Sequence, residues 1–202
     1  MRKADVARKT KETDITLSLA FDEVNPIVQI NTGIGFFDHM LTALAVHAGL
    51  SLSLSCKGDL HVDCHHTIED TGIVLGDALC RALGDKGGIA RYGSFYIPMD
   101  EALGFASIDI SGRPFLVFHA EFAADRIGGM DTQMVEEFFR AMAFHAGITL
   151  HLSVPYGTND HHKAEAQFKA FAHALKAVAA RKADGSVVST KGVVKGGLAE
   201  VA

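Results

Sequence analysis

The chain has 202 residues, 48% of them apolar, and carries a formal charge of −5. That is enough apolar material for a full core in one compact domain, and the acidic balance argues against a nucleic-acid binder, which carries a basic stripe. No run approaches the ~18 apolar residues of a membrane span, the basic N-terminus has no apolar stretch behind it, and three cysteines without a CxxC pair read as reduced thiols of a cytoplasmic protein.

In chain order, Glu12 to Phe21 alternates apolar Ile15, Leu17, Leu19 and Phe21 with polar Asp14, Thr16 and Ser18, which predicts a half-buried strand. Ile27 to Ile30 reads as the strand returning from the turn at Asn25-Pro26. Phe37, Met40, Leu41 and Leu44 have helical spacing, so a helix is expected over residues 36–47, ended by Gly49. Leu50, Leu52 and Leu54 alternate with serines in a further strand. Lys57-Gly58-Asp59 reads as a hairpin turn, with residues 60–62 as its short partner. A long helix follows over residues 66–83. The second half then predicts strands over residues 95–99, 103–110 and 113–122, with a tight hairpin at Ser111-Gly112. A helix over 132–145, a strand over 148–154 and a helix over 161–181 follow. From Asp184 onward the chain turns rich in Gly, Ser, Val and Lys and reads as a tail with little regular structure.

The chain repeats itself. His47-Ala48-Gly49-Leu50-Ser51-Leu52-Ser53-Leu54 matches His145-Ala146-Gly147-Ile148-Thr149-Leu150-His151-Leu152, and His65-His66-x-x-Glu69 recurs as His161-His162-x-x-Glu165. The expected architecture is therefore α+β: two fused pseudo-symmetric halves, each a mixed β-sheet with helices on one face. The halves would span residues 1–92 and 93–183, with the tail over 184–202.

In each double-histidine segment the first His and the Glu are four apart, neighbours on one helical face. Imidazole with carboxylate suits a divalent first-row metal, and Mn²⁺, Fe²⁺ and Zn²⁺ are all compatible. One such cluster is as readily a solvated helix start; two in matched positions favour metal. Adjacent histidines diverge by about 100° on a helix, so the two of a pair would serve different ions. His39 is a further candidate ligand, and sliding the repeat so that His47 meets His145 places Glu137 opposite it. His47 and His145 stand beside glycines, where capping of the last helical carbonyls competes with a role in the site. Arg91, Arg113, Lys169, Ser189 and Lys191 could together hold a phosphate, although no Walker-type or dinucleotide glycine motif accompanies them.

Four stretches carry a resemblance: residues 33–41 (GIGFFDHML), 63–70 (DCHHTIED), 111–114 (SGRP) and 159–165 (NDHHKAE). Together, and in that order, they resemble the imidazoleglycerol-phosphate dehydratases of histidine biosynthesis. The resemblance implies loss of water from imidazole glycerol phosphate to give imidazole acetol phosphate. It also implies two manganese ions per active site and an octahedral homo-oligomer with sites between subunits. It assigns metal binding to His39, His65, His66, Glu69, His161, His162 and Glu165. Glu137 stands where the family often has histidine, and it remains a competent hard ligand. Substrate contacts fall to Glu12, His39, His47, Arg91, Arg113, Lys169, Ser189 and Lys191. The catalytic carboxylates would be Glu12, as acid/base, with Glu69 and Glu165. Two other classes use much the same residues: a dinuclear hydrolase, which would release phosphate, and a metal-storing scaffold, which would need neither Glu12 nor the tail lysine.

Overall fold

The structure, a computed structural model, describes residues 2–194. The first half runs β1 (Lys3–Lys9), β2 (Thr13–Ala20), β3 (Val28–Asn31), α1 (Gly35–Ala48), β4 (Ser51–Gly58) and α2 (His65–Leu83). The second half runs β5 (Tyr92–Met99), β6 (Ala102–Asp109), β7 (Phe115–His119), the two-residue strands β8 (Arg126–Ile127) and β9 (Met130–Asp131), α3 (Met134–Ala146), β10 (Thr149–Tyr156) and α4 (Asp160–Ala179). The two four-stranded sheets have matching orders, β1-β2-β4-β3 and β5-β6-β10-β7. In both, the outer hairpin is antiparallel and the last strand is parallel to its neighbour. The α+β duplication is thus present, with two similar halves.

Each helix packs on a sheet of its own half and against a helix of the other, α1 against α4 and α2 against α3, so the helices lie between the sheets. Five fully buried phenylalanines come from three helices of this layer: Phe37 of α1, Phe138 and Phe139 of α3, and Phe168 and Phe171 of α4. Phe138 stacks on Phe168 at 5.3 Å between centroids and meets Phe37 edge-on at 5.3 Å. Each such side chain contributes roughly 1.5–3 kcal/mol by leaving water, and the rings join the two halves in one core. Gly49 and Gly147, at φ 69° and 66°, end α1 and α3 in the left-handed conformation. Their own N–H groups take up the last helical carbonyls, which leaves His47 and His145 for other partners.

Four expectations are corrected. Residues 3–9 form an unforeseen strand: only Ala4 and Val6 point into the core, and the charges around them hide the period, as is common where an edge strand must discourage further pairing. Residues 27–30 do not return along β2; β3 lies parallel to β4. Lys57 and Gly58 continue β4, paired with Asp14 and Thr13, so no hairpin forms there and residues 60–62 are not a strand. The Ser111-Gly112 turn makes no hairpin either, because β7 pairs with β10 rather than β6.

Candidate metal and substrate site

Helix α4 starts at Asn159, whose side chain accepts the amides of His161 at 2.9 Å and His162 at 3.3 Å. With its start so defined, His161, Glu165, Lys169 and His173 fall on one face at steps of four. Helix α1 packs alongside and adds His39 and His47. Glu165 Oε2 lies 3.2 Å from His161 Nε2 and 3.7 Å from His39 Nε2. One ligand atom from each of these three residues falls within 4.8 Å of the others. Lys169 Nζ sits 2.7 Å from Glu165 Oε1. Burial opposes ionisation of Glu165, yet the Lys169 ammonium, with His39 and His161, outweighs it and holds the carboxyl below its ordinary value.

Helix α2 repeats the motif with less support. Asp63 accepts the amide of His65 at 2.7 Å, and His65 Nε2 lies 3.8 Å from Glu69 Oε2. The second histidine of each pair is held alike. His66 Nδ1 donates to Asp59 at 3.0 Å, and its Nε2 faces Glu12 at 3.8 Å. His162 Nδ1 donates to Glu101 at 2.7 Å, and its Nε2 faces Asp100 at 3.7 Å. A carboxylate on Nδ1 fixes the tautomer and orients Nε2 as a ligand. The same carboxylates favour the cation: Asp59, then Glu12, raises the His66 pKa, and Glu101, then Asp100, raises that of His162. Glu101 in turn is pushed far below its ordinary value by the Asn159 amide first, then His162 and the Thr158 amide.

The donor set fits a hard or borderline divalent ion: imidazoles with oriented Nε2 atoms, a buried carboxylate, and ligand atoms already gathered within reach of one centre. Glu137 lies elsewhere in its preferences, bound to Arg140 at 2.9 Å on its own helix. Among the described residues, His47 and His145 cap no carbonyl. His47 Nδ1 is 3.2 Å from His173 Nε2, and burial, then His173 and Lys169, lowers its pKa. His145 Nδ1 donates to Asp77 at 2.9 Å.

The basic candidates divide. Lys169 belongs with Glu165, whereas Arg91, Arg113, Ser189 and Lys191 line one cleft of about 690 Å³ together with Tyr92, Ser111 and Val188. Arg91 is held at its floor: its Nε donates to Asp109 at 2.7 Å, its Nη1 donates to the Val188 carbonyl, and its guanidinium lies 4.7 Å over Tyr92. That carbonyl pins the tail: residues 184–194 have no helix or strand, and 188–191 with 193 and 194 line the cleft; residues 195–202 lie outside the described residues. No histidine is among the described residues that line it. Sequence reasoning missed Asp59, Glu101, Asp109 and His173. The repeat contained a signal for Glu101, since Glu12 and Glu101 both occupy the first hairpin turn of their halves.

Fold and site together define a class: a duplicated α+β protein with paired histidine–carboxylate clusters fit for divalent metal and a separate cleft lined by basic side chains. A family model described as imidazoleglycerol-phosphate dehydratase matches residues 32–175. Curated relatives of that name include one from Cereibacter sphaeroides, 53% identical over 96% of this chain and 100% of the relative. Another, from Acetivibrio thermocellus, is 55% identical over 96% and 99%. A crystal structure of the Staphylococcus aureus dehydratase superposes with a TM-score of 0.81 at 42% identity, covering 89% of this chain and 99% of that one. The chain belongs to the imidazoleglycerol-phosphate dehydratase family and is an enzyme of the hydro-lyase type. Among the described residues, no helix is long and apolar enough to cross a membrane.

Proposed function

We propose that the chain removes water from imidazole glycerol phosphate to give imidazole acetol phosphate in histidine biosynthesis, with two manganese ions per active site. The observation that carries the reading is the convergence of His39, His161 and Glu165 on one centre beside the family membership. His39, His161 and Glu165 would hold one ion, and His65, His66, Glu69 and His162, with Glu137, would supply the remaining ligands. Bound metal supplies Lewis-acid stabilisation of negative charge on the imidazole ring.

The rest falls to the chain's own residues. Arg91, Arg113, Ser189 and Lys191 bind the phosphate, and remote binding energy there orients the reacting carbons. Glu12, whose carboxylate faces His66, moves the proton. The C–O bond on the carbon attached to the ring breaks, the C–H bond on the neighbouring, hydroxyl-bearing carbon breaks, and hydroxide and proton leave as water. The resulting enol becomes the ketone by proton transfer.

Among the described residues, the cleft and the His39 cluster share no lining residue. A substrate that spans ring site and phosphate site is therefore best served by a cleft from one subunit and ligands from another. This supports the octahedral homo-oligomer, with sites between subunits, that we infer. The three free cysteines suit a cytoplasmic enzyme.

The test is to incubate chelated and manganese-reconstituted protein with imidazole glycerol phosphate and follow ketone and inorganic phosphate together. Ketone formation restored by manganese, without phosphate release, is expected. Phosphate release without ketone would make the protein a hydrolase, and full activity after complete demetallation would sink the metal reading.

A further inference from the structure

Asp70 is a buried carboxylate that the proposed chemistry leaves idle. It follows Glu69 on α2, and both its oxygens are engaged: Oδ1 accepts from Arg8 Nε at 3.1 Å and Oδ2 from Thr13 Oγ1 at 2.5 Å. Burying a charge is costly, so it needs compensation from such partners. The contacts lead in one direction. Thr13 spends its single hydroxyl proton on Asp70, so the 3.2 Å contact between Thr10 Oγ1 and Thr13 Oγ1 is a bond donated by Thr10. Thr10 Oγ1 then accepts two amides, from Glu12 at 3.1 Å and from Thr13 at 2.9 Å. The chain Asp70–Thr13–Thr10 thus runs from the helix that carries His66 and Glu69 to the backbone of Glu12, at the tip of the β1–β2 hairpin.

The other half shows what the same place looks like without this device. Aligning His65-His66 with His161-His162 puts Ala166 at the position of Asp70. Leu17 pairs with Leu54 as Ala106 pairs with Leu152, so Ala102 corresponds to Thr13. The second half therefore has two alanines where the first has a buried aspartate and threonine. There the helix lies directly on the strand, so close that a Cβ on Gly104 would stand 2.5 Å from the Ala166 carbonyl carbon. The fold does not require the polar chain; only the half with Glu12 has it.

We propose that Asp70, acting through Thr13 and Thr10, is a positioning residue for Glu12: it locks the hairpin tip to α2 so that the Glu12 carboxylate stands at the His66 face. This rests on the reading of Glu12 as the proton-moving group. A misplacement of about 1 Å can cost on the order of 100-fold in rate, so loss of the lock shows in kcat rather than in binding.

The experiment compares Thr13→Val, Thr13→Ser, Thr10→Val, Glu12→Gln and the double variant Glu12→Gln/Thr13→Val as manganese-loaded, assembled enzyme. Thr13→Val should lower kcat about 10–100-fold with KM within about twofold and metal content unchanged, and Thr13→Ser, which keeps the hydroxyl, should restore most of the rate. Thr10→Val, at a site less buried than Thr13, should move kcat the same way. The double variant should be no slower than Glu12→Gln alone, since Thr13 acts only through Glu12. If Glu12→Gln is inactive while Thr10→Val and Thr13→Val keep the wild-type kcat, the lock is overturned and the role of Glu12 stands. Losses that multiply in the double variant, or equal damage from Ser and Val, also overturn it and make the chain ordinary packing. A fully active Glu12→Gln enzyme removes the reading of Glu12 itself, and the lock with it.

Discussion

The two double-histidine helices share a motif and differ in surroundings. On α4, Glu165 is 9% exposed and lies against His39, His161 and Lys169. On α2, Glu69 is 43% exposed and has His65 at 3.8 Å. The cause is in the partners. The helix beside α4 supplies His39, whereas α3, beside α2, has Glu137 in the matching place, and Glu137 turns to Arg140. Where α4 has Lys169 one turn after its glutamate, α2 has the aliphatic Ile73. A duplicated motif thus yields one cluster assembled within the chain and one left open, as expected if the open one is completed by a neighbouring subunit.

Breaking the assembled cluster should have the largest effect. Glu165→Gln is expected to lose one ion per chain and more than ~100-fold in kcat, beyond the ~10–100-fold typical of an outer partner, as read by metal analysis and steady-state kinetics. Glu69→Gln should do likewise to metal, yet the two should separate in the metal-free protein. Only Glu165→Gln strands the part-buried Lys169 ammonium, at a cost of ~1–3 kcal/mol in urea unfolding. Equal apo stabilities would mean that the contrast between the helices has no energetic content.

Glu137 sharpens the comparison next. If it completes the open cluster on assembly, Glu137→Ala should weaken manganese at one of two sites by at least ~10-fold, measured by titration of the apo-protein. Glu137→His should bind normally. Unchanged affinity in Glu137→Ala would confine Glu137 to its ion pair with Arg140.

The basic cleft should respond in KM alone. Lys191→Ala removes a charge-assisted contact worth ~1.5–3 kcal/mol, so KM should rise roughly 10–100-fold while metal content and particle mass stay constant. A wild-type KM would make the tail a bystander.

The smallest effect compares the two hairpin bases. Arg2 opens β1 beside Asp22 at 2.6 Å, as Arg91 opens β5 beside Asp109, but Asp22 is 42% exposed. The hydrogen bond from Arg2, working against desolvation, lowers the Asp22 pKa. A lowered carboxylate pKa adds stability that is fully present above the unfolded value of about 4 and is lost as pH falls through the folded value. Discounted for solvent screening, Asp22→Asn should cost ~0.2–1 kcal/mol at neutral pH, and the difference should vanish in urea titrations near pH ~2. A difference that persisted in acid would place the effect in packing.

Much of this protein was legible in its residues because its periods are strong. Phe37, Met40, Leu41 and Leu44 mark α1, and the predicted bounds of α1, α2 and α4 fall within two residues of the observed ones. The repeat by itself announces the duplication, and a double histidine with a glutamate on one helical turn is a local arrangement that the chain itself encodes. What local pattern could not decide is who meets whom across distance. β1 went unseen because its inward face is only Ala4 and Val6. The parallel placement of β3 and β7 went unseen because strand partners are chosen by closing the sheet over the helices, not by the nearest turn. The tertiary structure alone brought His39 of one half to Glu165 of the other, gave Glu101 to His162, and sent Arg91 and Lys191 to a cleft apart from Lys169, whose place one turn after Glu165 the sequence itself records. These pairings depend on distances between residues far apart in the chain, which burial of one shared core sets and no periodicity records.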